Sequence, residues 1–377
     1  MIYLDHAATT PLPEAVADTM YDVLRHQFGN PSAQYPLGRE AKELVEEARR
    51  TIAGALGCQP LALHFTSCGT ESDNWAIRAA AWQGRHTGRH IITTAVEHSA
   101  VLEPCRQLEQ EGYEVTYLKP DRTGHISAGQ VAEALREDTV LVSVMLVNNE
   151  TGCLFPVADI ARLLKERGSR ALLHCDAVQG FLKVPCNPAG WGVDLMSLSA
   201  HKIGGPKGIG ALYVRPDLRN LRPLLAGGGQ DEGLRSGTEA TAQIAGFAKA
   251  VALRQEGLGE KLAPMARIKA YCRERLLSIP GVVPVGGGEA PHILAVSLVG
   301  YPSANVINDL GSQGICLSAG SACHRGKASR GYAALGLDKR TAAGVLRLSF
   351  GPETTEGDID ALYEALLRHK NTRFSML

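Results

Sequence analysis

Lys202 stands in Ser199-Ala200-His201-Lys202, at the end of an apolar stretch and before Gly204-Gly205-Pro206-Lys207-Gly208. A partly desolvated lysine amine becomes a nucleophile that can form a Schiff base with an aldehyde. Taken alone, an exposed loop lysine is the plainer reading. Asp176 follows His174-Cys175 and precedes Ala177-Val178-Gln179. Its carboxylate could keep a heteroaromatic ring nitrogen protonated, or it could simply cap a helix. Thr66-Ser67-Cys68-Gly69-Thr70-Glu71-Ser72 precedes a helical run over residues 73–83. A glycine and hydroxyls at a helix start make a phosphate site, because free backbone N–H groups point outward there. An ordinary capping segment has the same composition. His98 could stack on a planar ring and move protons near neutral pH, or be structural. Ser199 and His201 could donate to a phosphate.

Cys323 lies in Gly320-Ser321-Ala322-Cys323-His324-Arg325-Gly326-Lys327. Neighbouring cations favour the thiolate, and the thiolate is the nucleophile. Of the nine cysteines it alone has this setting; a passive surface thiol is the alternative. The segment also looks like a nucleotide-binding loop. The spacing is wrong, however, and Ala328 stands where a Ser or Thr would hold magnesium. Arg347 sits inside the apolar Leu346-Arg347-Leu348-Ser349-Phe350. A guanidinium there wants a carboxylate, from a substrate or from the protein itself.

The elements that must position these residues have an α/β rhythm. Apolar stretches at residues 90–94, 139–147, 170–175, 194–199 and 209–214 are short, rich in Val, Ile and Leu, and do not alternate. They predict strands of a mostly parallel sheet buried on both faces. Helical spacing at Ala41, Leu44, Val45, Ala48, Ile52, Ala55 and Leu56, closed by Gly57, and again over residues 157–167, predicts the intervening helices. His98, Asn149, Asp176 and His201-Lys202 each come directly after one of these strands. Ligands of open parallel sheets bind outside the carboxyl ends of the strands. Beyond residue 255 the texture changes to helix through residue 277, a glycine-rich turn over 281–288, and strands at 293–298 and 346–350. The expected division is a large α/β domain over residues 15–255 and a smaller α+β domain from residues 1–14 and 256–377.

Charge narrows the function. The 39 basic and 39 acidic residues cancel, which argues against nucleic acid or an anionic membrane as the main partner. No apolar stretch reaches the length needed to span a bilayer, and the first residues lack a signal-peptide pattern, so a cytoplasmic protein is expected. The nine cysteines are scattered, with no C-x-x-C pair, which predicts neither a disulfide framework nor a zinc site.

Together these residues resemble the cysteine desulfurase family, within the class V aminotransferase group of pyridoxal-phosphate enzymes of fold type I. The resemblance runs from Tyr3-Leu4-Asp5-His6-Ala7-Ala8-Thr9-Thr10-Pro11 to Arg347-Leu348-Ser349-Phe350-Gly351. Between these lie, in order, residues 66–74, Glu97-His98, Val147-Asn148-Asn149-Glu150, residues 176–179, residues 199–202 and residues 227–238. The Gly-Ser-Ala-Cys loop separates desulfurases from other members of the group. The resemblance implies that Lys202 carries pyridoxal 5'-phosphate as a Schiff base and moves protons, and that Asp176 pairs with the ring nitrogen. Gln179 would bond the ring hydroxyl, His98 would stack on the ring, and Asn149 would contact the ring or the substrate. Thr70, Ser199, His201 and the Gly69 backbone would hold the phosphate. Thr238 would reach the phosphate of the other subunit of a homodimer. Arg347, assisted by Asn30, would hold the substrate carboxylate. The implied reaction converts L-cysteine to L-alanine. Its sulfur passes to Cys323 as a persulfide and then to an acceptor protein, an iron–sulfur scaffold or a tRNA-thiolation enzyme. No metal is implied.

Three departures from the family pattern stand out. Cys68 replaces a frequent glycine, Ser169-Arg170 looks like a short insertion, and the stretch from Cys323 to Arg347 is a few residues short, which leaves the acceptor open. Two rivals share the fold: a selenocysteine lyase, and another pyridoxal-phosphate aminotransferase or lyase with a passive Cys323. A third, a sulfur-trafficking protein without catalysis, predicts a colourless protein.

Overall fold

The computed structural model describes residues 1–218, 220–320 and 330–372, Arg330 by its backbone alone. Seven strands form one sheet in the spatial order Leu63–Thr66, Gly210–Val214, Leu195–Ser199, Leu172–Asp176, Thr139–Met145, His90–Thr94 and Glu114–Leu118. Only Gly210–Val214 runs antiparallel to its neighbours; the other pairings are parallel. Four of the five inner strands are buried at every position and the fifth at all but its first, as a sheet covered on both faces requires.

The helices cover it for reasons visible in their spacing. Helix Pro36–Leu56 buries Ala41, Val45, Ala48, Ile52 and Leu56 and ends on Gly57 at φ 74°. That left-handed cap favours glycine. Full burial of each Ile or Leu stabilises by about 1.5–3 kcal/mol. Helix Val157–Glu166 likewise buries Val157, Ile160, Ala161 and Leu164.

Several bounds differ from the sequence expectation. The strand expected over 139–147 ends at Met145, and Val147 pairs singly with Leu154. Asp176 is the last residue of its strand rather than the first after it. The turn expected over 281–288 contains the short strand Val282–Pro284, and helix through 255–277 is broken at Gly257, φ 63°. Leu63–Thr66 and Glu114–Leu118 were not anticipated. The latter is a half-exposed edge strand without a strong apolar run.

A second apolar core is separate from the first. It joins Leu4, Met265, Cys272 and Leu276 to the strands Ile293–Leu298 and Val345–Ser349 and the helix Glu356–Thr372. Those two strands pair antiparallel, with Ala295 opposite Arg347. Among the described residues no helix is long and apolar enough to cross a membrane.

Candidate active site

A cavity of about 280 Å³ opens at the carboxyl ends of the parallel strands. Gly69, Thr70, His98, Asn149, Asp176 and Gln179 line it, together with Ser199, His201, Lys202 and Arg347. Ten of the expected site residues therefore meet in one place.

Gly69 opens helix Gly69–Gly84, and the preceding Cys68 supplies no side-chain cap. A Cβ on Gly69 would lie 2.7 Å from Val178 Cγ2, so only glycine lets the helix start approach this closely. Cys68 itself is extended, with φ −177° and ψ 171°. Any residue adopts that conformation, so the departure from glycine costs the backbone nothing. Glu71 closes the turn: its carboxylate accepts from the Ser67 N–H at 2.8 Å and pairs with Arg235 at 2.8 Å.

His98 caps the next helix, Ser99–Gln110. Its Nδ1 accepts from the Ala100 N–H at 3.1 Å, which fixes the ring and leaves Nε2 as the protonated nitrogen of a neutral imidazole. Asp176 Oδ1 accepts from the Val178 N–H at 2.9 Å. Burial pushes its carboxyl up to about 6, against that hydrogen bond and the Lys202 charge, which both pull it down. His201 is pushed down to about 4, by burial first and then by Lys202, and is neutral at pH 7. Lys202 ends the single turn Ala200–Lys202 that follows its strand. Its Nζ donates to Ala7 O and Ala8 O, both at 2.8 Å. Thr10 holds this turn in place, donating from its Oγ1 and its N–H to His201 O and accepting from the Gly204 N–H.

Gln179 donates from Nε2 to Ala7 O at 2.8 Å and accepts from Lys183 at 3.4 Å. One amide hydrogen remains for a ligand. Arg347 is 2 % exposed. Its Nη2 binds Asp5 at 2.7 Å and its Nη1 donates to Asn149 O at 3.0 Å. The carboxylate that Arg347 wants is thus already present within the protein, and Nε is buried without a partner. Asn30 and Thr238 are exposed and do not line the cavity; Asn30 instead accepts from the Ser32 N–H. Cys323 lies outside the described residues.

The residues fit a phosphorylated pyridoxal. The Ser199 hydroxyl is buried in the cavity wall with no hydrogen-bond partner, and a phosphate oxygen would satisfy it. The open helix start beside Gly69 offers backbone N–H groups to the same dianion. Asp176 lines the same cavity and is the acid that a ring nitrogen would need.

Sequence reasoning missed a layer beneath Asp176. Glu97 is buried and accepts from the Met145 N–H and from Thr94, both at 2.9 Å. Burial pushes its carboxyl up to about 8. Asp73 is buried too, 3.5 Å from His174 Nε2, and its carboxyl is pushed well up by burial and by Asp176. His174 bridges Ser143 and Ser197 and is driven down to about 3 by burial, so it stays neutral. A carboxyl whose pKa is higher in the folded state binds protons more tightly there. The stability it contributes is present at low pH and is lost as pH rises through the folded value. The Glu97 contribution to the urea midpoint of the cofactor-free protein should therefore decline as pH rises from about 5 to 8, so Glu97→Gln should change the slope of midpoint against pH by removing that decline. An unchanged slope in that variant would show that Glu97 titrates normally.

Comparison with known proteins agrees with this geometry. A family model described as aminotransferase class-V matches residues 2–362. A protein of Methanosarcina thermophila named cysteine desulfurase IscS is 37 % identical over 383 aligned positions, covering 97 % of this chain and 91 % of that one. A solved structure named NifS-like protein superposes with a TM-score of 0.93 at 35 % identity, covering 99 % and 100 % of the two chains. Another, described as SspA in complex with cysteine, gives 0.81 at 35 % identity and covers 94 % and 100 %.

Proposed function

Because this chain belongs to the aminotransferase class-V family and is a pyridoxal-phosphate-dependent cysteine desulfurase of fold type I, we propose that Lys202 is the residue that carries its cofactor and that Cys323 receives the sulfur. The observation that carries the first assignment is the Lys202 amine, aimed by two carbonyls into a cavity that also holds Asp176, His98 and the unpartnered Ser199 hydroxyl. The bound cofactor supplies an electron sink for a substrate carbanion.

The chain's own residues do the rest. Asp176 holds a proton on the ring nitrogen from a buried position. His98, locked by the Ala100 N–H, would pack against the ring, and Val178 lines the same cavity. Gln179 and Asn149 orient the ring's polar substituent and the substrate. Gly69, Thr70, Ser199 and His201 bind the phosphate. Arg347 offers its free Nε–H to the substrate carboxylate, and Asp5 fixes the guanidinium plane. Lys202 would take the substrate's α-proton at Nζ and return it. The Cys323 thiolate then attacks the substrate sulfur: an S–S bond forms, the Cβ–S bond breaks, and the carbon takes a proton to leave as alanine.

Several finer readings have support. Tyr21, Leu24, Phe28, Tyr35 and Leu37 are exposed large hydrophobic residues near one another in sequence, which suits burial against a second copy. Thr238 and Asn30, exposed and outside their own cavity, would act across or beside that homodimer interface. The core that contains Leu4 draws only on residues 1–14 and 256–377, which supports a division into residues 15–255 and residues 1–14 plus 256–377. Eight cysteines among the described residues are free thiols, which suits the cytoplasm. The sulfur acceptor is a protein, an iron–sulfur scaffold or a tRNA-thiolation enzyme.

Purified protein should be yellow and should release alanine and sulfide in equal amounts from L-cysteine under reductant. A yellow protein that made no alanine would end the assignment of these roles. Ser199→Ala removes one charge-assisted hydrogen bond to phosphate, worth about 1.5–3 kcal/mol. Cofactor affinity, measured by titrating the cofactor-free protein, should fall about tenfold or more.

A further inference from the structure

A second cavity, about 360 Å³ in volume, shares Lys202 with the first and is otherwise lined by different residues. Four elements deliver nitrogen bases to it: His6 from the first ten residues, Lys183 from the turns after strand Leu172–Asp176, Arg254 from the last turn of helix Thr241–Gln255, and His292 just before strand Ile293–Leu298. His292 is 1 % exposed, and neither ring nitrogen has a hydrogen-bond partner. Its backbone cannot swing it away, because His292 O accepts from the Phe350 N–H at 3.0 Å. Lys183 is 3 % exposed, and its ammonium bonds Gln179 Oε1 at 3.4 Å. Arg254 Nε is buried without a partner. Buried polar groups are normally satisfied, so the unpartnered His292 ring and Arg254 Nε beside Lys183 point to a ligand that supplies the missing partners.

We propose that this second cavity binds a small oxyanion, either an inorganic one such as sulfate or phosphate or the carboxylate of a small acid, held by His292, Lys183 and Arg254. Charge favours an anion over water. Burial first, then Arg254 and Lys202, disfavour the Lys183 ammonium. Burial first, then Lys183, Arg254, Lys269 and His6, disfavour a charged His292. The acids on the cavity wall are Glu353, whose carboxylate is 3.2 Å from His6 and largely exposed, and Glu256. Neither satisfies the buried nitrogens. A water could bond His292, but only an anion would also favour a proton on Lys183 and His292 and pair with the Arg254 guanidinium beside them.

The test uses the cofactor-loaded enzyme, so that the phosphate site of the first cavity is already filled. Crystals soaked in selenate should show an anomalous peak within hydrogen-bond reach of His292. Calorimetric titration at constant ionic strength with sulfate, and separately with acetate, shows whether inorganic or carboxylate oxyanions bind better. Lys183→Met should weaken the better of the two about tenfold, the loss of one charge-assisted bond. Should Lys183→Met fail to fold, Arg254→Gln, at a half-buried side chain, carries the same comparison. Absence of a selenate peak, or equal affinity in wild type and variant, overturns the proposal.

Discussion

Lys202→Ala is expected to give a folded protein that borohydride cannot link to its cofactor, with alanine formation from L-cysteine reduced at least about a thousandfold. The magnitude is that of losing a positioned acid–base group, about 10²–10⁴, together with the covalent attachment point. The geometry makes the loss specific. Lys202 Nζ is held by Ala7 O and Ala8 O at 2.8 Å, and among the described residues no other lysine lines that cavity. Lys183 is nearby but bonds the far end of Gln179 and opens on the other cavity. Lys202→Arg separates charge from chemistry. It keeps donors for the two carbonyls but cannot form a Schiff base, so it should be as inactive as the alanine variant. Turnover by Lys202→Arg above a few per cent of wild type would mean that the lysine serves only as a positive charge.

Cys323→Ala should leave cofactor binding and the absorption spectrum intact. Sulfide release and alanine formation should fall at least about a hundredfold, since the nucleophile itself is gone. The argument is chemical. His324, Arg325 and Lys327 favour the thiolate, and the thiolate is the form that attacks sulfur. Labelling with an alkylating reagent after one turnover should find a persulfide on Cys323 in the wild type. The rival with a passive thiol expects no change in rate. A variant that lost selenide release from selenocysteine yet kept cysteine desulfuration would also refute the role given to Cys323.

Much of the sheet was legible because a strand buried on both faces must be apolar at every position. Residues 90–94 are a strand at the expected bounds, and the other central strands shift by one or two residues. The edge strand Glu114–Leu118 was not legible, because its exposed face tolerates Glu114 and its pattern carries no sustained signal. The site was legible where a polar residue interrupts the end of an apolar strand, as at Asp176 and Lys202. It was illegible where acids are hidden in the layer below. Asp73 and Glu97 look like ordinary helix and loop residues in one dimension. Only the fold brings both near Asp176, and Asp73 near His174, and strips them of water. Asp5 was equally silent: nothing in its neighbours signals a partner 342 residues away.

That last pairing bears on how the protein is made. Residues 4–10 hold the Lys202 amine through the Ala7 and Ala8 carbonyls, yet their own anchors come almost entirely from elsewhere. Asp5 waits for Arg347, the Ala7 N–H waits for Ser349, and Leu4 packs with Leu346 and Phe350. During synthesis these residues leave the ribosome before the sheet strands and well before Arg347 and Ser349, so they find their partners last. The large sheet can assemble while they wait, since its strands lie between Leu63 and Val214. Contacts of such sequence separation form late. A nascent chain should therefore bury its core well before it can aim Lys202, so that competence to hold the cofactor is a property of finished molecules and not of growing ones.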